Sequence, residues 1–277
     1  MRMDNVEAGG ASIPSLGFGT WAARGDECRQ AVTWALESGY RHIDTAAVYA
    51  NEEAVGEGIR ASRVPRGEIF LTTKVGPDDI DEGKLERSAE ASLKRLGFDH
   101  VDLLLIHWPS PKIPLKRSMA ALANAKRRGL ARHVGVSNFT PKLLAEAVAL
   151  SEEPVVTNQC EYHPRLDQSR VLEACRKNGV SFTSYCPLGR AGDIFAEPQV
   201  EAIAKQHGKT PAQVLLRWQV QQPGVIAIPK SANRQRIAEN IAIFDFALDE
   251  AQMRTLFALA SPRGRIVSPA WAPDWQA

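Results

Sequence analysis

Short apolar or β-branched runs alternate with longer amphipathic stretches along the chain. Eight runs read as strands: LGFGT (16–20), YRHID (40–44), EIFLTTK (68–74), VDLLLIH (101–107), RHVGVSN (132–138), PVVTNQ (154–159), VSFTSYC (180–186) and GVIAIPK (224–230). The stretches between them, such as DEGKLERSAEASLKRLG and TPAQVLLRWQVQQ, have helical periodicity. Most strand starts recur at roughly 25–30 residues, close to one βα unit each. With no low-complexity linker or composition break, the pattern predicts an α/β protein, a (β/α)8 TIM barrel, with residues 1–277 as a single domain. VEAGGASIP, ahead of the first strand, reads as a short N-terminal hairpin that plugs the barrel bottom, and the chain ends in a short C-terminal tail. The competing doubly wound dinucleotide fold should show G-x-G-x-x-G after an early strand. The nearest string, Gly56-Glu57-Gly58, lies inside a helical pattern and is followed by Ile-Arg.

Composition narrows the function classes. The 277 residues are 44% hydrophobic and 24% charged with a net charge of +2, which argues against a nucleic-acid partner. The one basic cluster, Lys126 to Gly129, reads as the cationic last turn of a helix with a glycine stop. Four scattered cysteines with no CxxC suggest a reduced, cytoplasmic protein. Cys160 and His163 have no second pair to complete a metal site, so no metal is expected. The N-terminus has no apolar signal region, and no apolar run approaches the length of a membrane span, so no membrane partner is expected.

In a TIM barrel the active site lies at the C-terminal strand ends. The second predicted strand ends on Asp44, the third on Lys74 and the fourth on His107, and Tyr49 follows in the loop after Asp44. Each residue alone has an ordinary structural reading: a turn former, a rim lysine, a core histidine, a packed aromatic. Four such groups converging on one face point to catalysis. A phenol titrates near 10, a nearby ammonium favours its ionised form, and a carboxylate keeps that ammonium charged and placed. Histidine can hold a substrate oxygen. Such a site could protonate a carbonyl oxygen while a cofactor delivers hydride to the carbon.

Later strand ends suggest a cofactor groove. Ser137, Asn138 and Gln159 could bind a carboxamide, and Tyr185 could stack on a nicotinamide ring. Lys230, Ser231 and Arg236 suit a phosphate; Glu239 and Asn240 could read an adenine amine. The same segment also reads as a solvated, capped surface helix.

At this point the chain resembles the aldo-keto reductases over nearly its whole length. The resemblance rests on GFGTW, YRHIDTAAVYANEEAVG, TTK, VDLLLIHWP, GVSNF, NQCEYHP, SYCPLG and IPKSANRQRIAEN. The ending RIVSPAWAPDW and the short loops are most similar to the bacterial 2,5-diketo-gluconate reductase branch. The resemblance implies a catalytic tetrad of Asp44, Tyr49, Lys74 and His107 with Tyr49 as proton donor. It implies NADPH across the barrel top, stacked on Tyr185. Gly19, Thr20 and Asp44 would line its nicotinamide end, and Ser137, Asn138 and Gln159 would hold the carboxamide. Pro187, Leu188 and Gly189 would follow the pyrophosphate. Lys230, Ser231 and Arg236 would hold the 2′-phosphate, with Glu239 and Asn240 at the adenine. Trp21 and Trp108, with Tyr49 and His107, would bound a small-molecule carbonyl substrate. A monomer is expected. Gly76 stands where many relatives carry a bulky aromatic, which opens one pocket wall, and Arg190 stands where several have a small residue beside the pyrophosphate. Two other readings stay open: a Schiff-base lysine on a barrel strand, and a non-catalytic binding protein on the same scaffold.

Overall fold

The computed structural model describes residues 3–189 and 192–275, so Arg190 lies outside the described residues. Eight parallel strands follow one another around the sheet in chain order. They are β3 (Phe18–Gly19), β4 (His42–Asp44), β5 (Phe70–Val75), β6 (Val101–Ile106), β7 (Ala131–Ser137), β8 (Val155–Glu161), β9 (Ser181–Tyr185) and β10 (Val225–Ala227). A parallel bridge between Leu16 and Ala227 closes the ring. Main-chain bonds from Gly17 to Ala227, Ala227 to Ser15 and Gly19 to Pro229 continue the closure. The predicted (β/α)8 barrel is therefore the fold.

The strands at this seam are shorter than the sequence pattern suggests. Pro229 has no N–H to extend β10. Gly17 and Gly19 let the two edges meet: a Cβ on Gly17 would stand 2.6 Å from His42 Nδ1, and one on Gly19 would stand 2.9 Å from the Ile228 carbonyl. β8 runs longer than expected, through Cys160 to Glu161, which pairs with Tyr185.

The helices are α1 (Gly25–Glu37), α2 (Glu52–Ala61), α3 (Lys84–Leu96), α4 (Leu115–Arg127), α5 (Pro141–Leu150), α6 (Ser169–Lys177), α7 (Pro198–His207), α8 (Pro211–Val220), α9 (Arg234–Ile241) and α10 (Glu250–Phe257). Thr-Pro starts two of them: Thr140 and Thr210 cap α5 and α8 through their hydroxyls, and the proline takes the first turn where its missing N–H is not needed. Gly129, with φ of 76°, stops the chain just after α4, as the KRRG pattern predicts.

The expected hairpin is present as β1 (Asn5–Ala8) and β2 (Ala11–Pro14), antiparallel, turning at Gly9 and Gly10. Its Ala11 and Ile13 pack on Leu103, Leu105, Val156 and Ile226 in a layer separate from the main core. Side chains alternate faces along a strand. Leu104 and Ile106 accordingly join the larger cluster formed with the helices. Burying each such aliphatic side chain contributes about 1.5–3 kcal/mol. The hairpin fills one end of the barrel and leaves the strand C-termini to form the other.

Candidate active site

Asp44 is the last residue of β4, and Lys74 lies near the end of the adjacent β5. Both are buried, and Lys74 Nζ donates to Asp44 Oδ1 at 2.6 Å. An ammonium has three donors. The second meets the Thr45 carbonyl at 2.8 Å and the third faces the Tyr49 hydroxyl at 3.5 Å. Tyr49 reaches this position because a single 3-10 turn, Ala47–Tyr49, follows β4 and ends at Ala50 in the left-handed region, φ 52°. The Tyr49 and His107 rings meet edge to face at 5.6 Å. His107 follows β6 directly, its N–H bonded to the Val75 carbonyl. The three residues predicted at strand ends and the tyrosine predicted in the loop after the first of them therefore share one site.

Electrostatics refine the expectation for the phenol. Burial pushes Tyr49 above its ordinary value and outweighs the lowering by Lys74. Tyr49 therefore stays protonated through neutrality. Burial pulls Lys74 down, but Asp44 and Tyr49 outweigh it and the net direction is up. Burial and then the Lys74 charge push His107 down to about 3, so it is a neutral imidazole at neutral pH.

A groove of about 640 Å3 opens over these groups. Of the predicted residues, Gly19, Thr20, Trp21, Asp44, Tyr49, His107, Trp108, Asn138, Gln159, Tyr185, Pro187, Leu188 and Lys230 line it. Lys74 sits beneath, fully buried. Ser137 is also fully buried, behind Asn138, donating to the Gln159 carbonyl at 2.7 Å and accepting from Asn138 Nδ2 at 3.0 Å. The Tyr185 hydroxyl donates to Asn138 Oδ1 at 2.8 Å, which fixes the ring against the groove. Gln159 Nε2 donates to Asp44 Oδ2 at 2.8 Å.

The cationic end lies past β10. Lys230 reaches Glu27 of α1 at 3.6 Å. Ser231 Oγ accepts from the Asn233 N–H at 3.1 Å, and the Asn233 side chain caps α9 at Arg236 N. The exposed Arg236 guanidinium has no hydrogen-bond or ion-pair partner among the described residues. Glu239 accepts from Gln235, and Asn240 is buried. Gly189, Ser231, Arg236, Glu239 and Asn240 do not line the groove itself. Gly76 borders it indirectly, since a Cβ there would meet Val48 Cγ1 at 3.3 Å and Val48 lines the groove.

Sequence reasoning missed several groups. Asn51 occupies the cap position before α2. Its side chain instead accepts from Thr45 Oγ1 and donates to the Thr20 and Ala23 carbonyls, tying the loops after β3 and β4 together. Arg24, Cys186 and Val267 also line the groove. Cys160 and His163, considered as half a metal site, are occupied otherwise: Cys160 faces Asn158 Oδ1, and His163 faces Glu161.

The profile of the Aldo/keto reductase family matches residues 15–260. The chain is 43% identical to an aldo-keto reductase of Mycobacterium avium over 250 residues, 90% of this chain and 87% of the relative. It is 40% identical over 268 residues to the methylglyoxal reductase DkgB of Salmonella typhi, covering 95% and 99%. Among solved structures, one provisionally described as a 2,5-diketo-D-gluconic acid reductase B superposes with a TM-score of 0.97 at 46% identity, covering 100% and 98%. A Bombyx mori aldo-keto reductase in complex with NADP gives a TM-score of 0.90 at 35% identity, covering 98% and 96%. These likenesses span the whole barrel on both sides of each comparison.

Proposed function

The chain belongs to the aldo/keto reductase family, and from that premise we propose that it reduces aldehydes and ketones to alcohols with Tyr49 as the general acid. Oxidoreductase chemistry on carbonyls and the use of NADP(H) come with the family. The observation that carries the tyrosine reading is Lys74. It directs one donor at the Tyr49 hydroxyl while Asp44 and the Thr45 carbonyl hold the other two.

The residues present fit the cofactor. Tyr185 offers a fixed aromatic face, and Asn138 Oδ1 and Gln159 offer amide groups beside it. Arg236 keeps its guanidinium unpaired near the start of α9, and Lys230 and Ser231 precede it. These three suit a 2′-phosphate, with Asn240 and Glu239 one turn on. Gly19, Thr20, Pro187, Leu188 and Gly189 would follow the rest of the molecule. When bound, NADPH supplies hydride to the carbonyl carbon.

The protein's own groups handle the oxygen. Neutral His107 can donate one N–H to the substrate carbonyl and orient it beside the phenol. Tyr49 then gives its proton to the oxygen as negative charge develops there, and the Lys74 ammonium stabilises the phenolate left behind. Asp44, itself fixed by Gln159, keeps Lys74 charged. Trp21, Trp108 and Val48 bound the substrate end with apolar surface. Small dicarbonyls and bulkier aldehydes are the expected substrates, with keto-sugars a further class to try.

The test is a panel of aldehydes, α-dicarbonyls and keto-sugars, methylglyoxal included, with NADPH oxidation followed by absorbance. Turnover with at least one carbonyl class supports the reading. NADPH binding without oxidation across the whole panel contradicts it.

A further inference from the structure

The C-terminal tail after α10 is anchored to the end of β8 by one carboxylate. Glu161 is fully buried, the last residue of that strand. Its Oε1 accepts the N–H of Ile266 and its Oε2 the N–H of Val267, both at 2.7 Å. His163 Nε2 faces Oε1 at 2.9 Å. Among the described residues Glu161 forms no ion pair with lysine or arginine. Burying a carboxylate is costly unless its oxygens are hydrogen-bonded. Seating the tail and satisfying Glu161 are thus the same event. Strand alternation puts Glu161 on the same face as Gln159, which holds Asp44. One strand therefore turns an amide toward the tetrad and a carboxylate toward the tail.

The tail enters through a second fixed point. Gly264 packs so close to the Arg165 carbonyl that a Cβ would stand 1.7 Å from it, and Ser261 N–H bonds to that same carbonyl at 3.0 Å. Beyond the anchor, Val267 lines the groove. Trp271 and Trp275 then meet Trp108 edge to face at 5.1 and 6.0 Å, and the Arg265 guanidinium lies over the Trp275 ring at 3.8 Å.

We propose that Glu161 is a positioning residue for substrate size, fixing the tail so that Val267 and the cluster of Trp108, Trp271 and Trp275 form one wall of the substrate end. The proposal rests on the reading that the carbonyl binds beside Tyr49. Substrates large enough to touch the wall depend on Glu161, and small ones do not.

Glu161→Gln keeps the side chain's size but offers one acceptor oxygen and an NH2 group, which sets donor against donor at one of the two tail N–H groups. KM and kcat are measured for methylglyoxal and for 2-naphthaldehyde, alongside NADPH affinity and the rate of tryptic cleavage at Arg263 and Arg265. We expect the naphthaldehyde KM to rise at least tenfold, the methylglyoxal KM and both kcat values to stay within twofold, and tail cleavage to quicken at least tenfold. Trp271→Ala alters the wall without touching β8 and should show the same KM split, and the double variant should lose little more than either single one. Equal KM increases for both substrates, additive losses in the double variant, or unchanged tail cleavage would overturn the proposal. If Glu161→Gln does not fold, equal KM values for both substrates in Trp271→Ala relative to the unsubstituted enzyme overturn it alone. If the unsubstituted enzyme reduces no carbonyl of the wider panel, the carbonyl reading fails, and tail cleavage still decides the anchor.

Discussion

Gln159 Nε2 donates to Asp44 Oδ2 at 2.8 Å, joining residues 115 positions apart in the chain. Asp44 Oδ1 is taken by Lys74 at 2.6 Å. Both carboxylate oxygens are thereby occupied, one by the ammonium that faces the Tyr49 hydroxyl and one by an amide from β8. The tetrad is braced from the opposite wall of the barrel, so the position of Lys74 does not depend on β4 and β5 alone.

Lys74→Met should cost at least as much activity as loss of the phenol's proton. Burial already pushes Tyr49 up and Lys74 is the main group pulling it down. With Tyr49 as the proposed acid, carbonyl reduction needs the protonated phenol, so its rate should fall as pH rises through the Tyr49 pKa. Removing the ammonium raises that pKa further and should move the basic limb of the pH–rate profile to higher pH while lowering the plateau by about 10²–10⁴. A basic limb at an unchanged pH would contradict the coupling.

Gly76→Trp should narrow the substrate range. The new side chain must displace Val48, whose Cγ1 lies 3.3 Å from the Cβ position and which borders the groove. Bulky aldehydes should lose kcat/KM about tenfold or more, the scale of a 1–3 kcal/mol pocket contact, while small dicarbonyls are spared. Equal losses for both sizes would place this loop away from the substrate.

Arg236→Ala should weaken NADPH by about ten- to a hundredfold, the scale of one charge-assisted hydrogen bond of about 1.5–3 kcal/mol. NADH lacks the 2′-phosphate and should bind nearly unchanged. The unsubstituted protein should accordingly prefer NADPH at least about tenfold on the same magnitude. Titration by protein fluorescence checks both. Equal weakening of the two cofactors would show that Arg236 does not read the 2′-phosphate.

Stability should fall on mild acidification. Burial, against the pull of Asp44, pushes His42 down to about 4, and His107 is down at about 3. Both are neutral when folded, whereas an unfolded chain protonates them near 6.5. The unfolded state then binds more protons below that value, and stability drops as pH falls from about 6.5 toward 4. By pH 5 the loss is about 2 kcal/mol per histidine. Urea unfolding at pH 7 and pH 5 measures it, and His42→Gln should reduce the slope. A stability that rises on acidification would contradict this account.

Much of the site was legible in the sequence because a barrel sends strand ends to one face. Asp44, Lys74 and His107 needed only the strand pattern, and Tyr49 only its spacing from Asp44. The sign of the Tyr49 shift was not legible, because it depends on the burial of the phenol in the folded chain, which outweighs the pull of Lys74. Glu161 falls outside the predicted strand, which ends at Gln159, while the structure carries β8 two residues further. Asn51 carries no signal in the sequence, because its cross-loop role depends on contacts with Thr20 and Ala23 about thirty residues away. The seam strands were overestimated because Pro229 and the paired glycines mark a closing edge that single-sequence periodicity cannot see.

The central claim is that Tyr49 supplies the proton. Tyr49→Phe removes one oxygen and leaves the ring against His107. NADPH affinity is measured by fluorescence titration, and carbonyl reduction by NADPH absorbance on the same preparation. The account predicts an NADPH affinity within about threefold of the unsubstituted protein and a loss of about 10²–10⁴ in kcat. Near-unchanged turnover in Tyr49→Phe would contradict it.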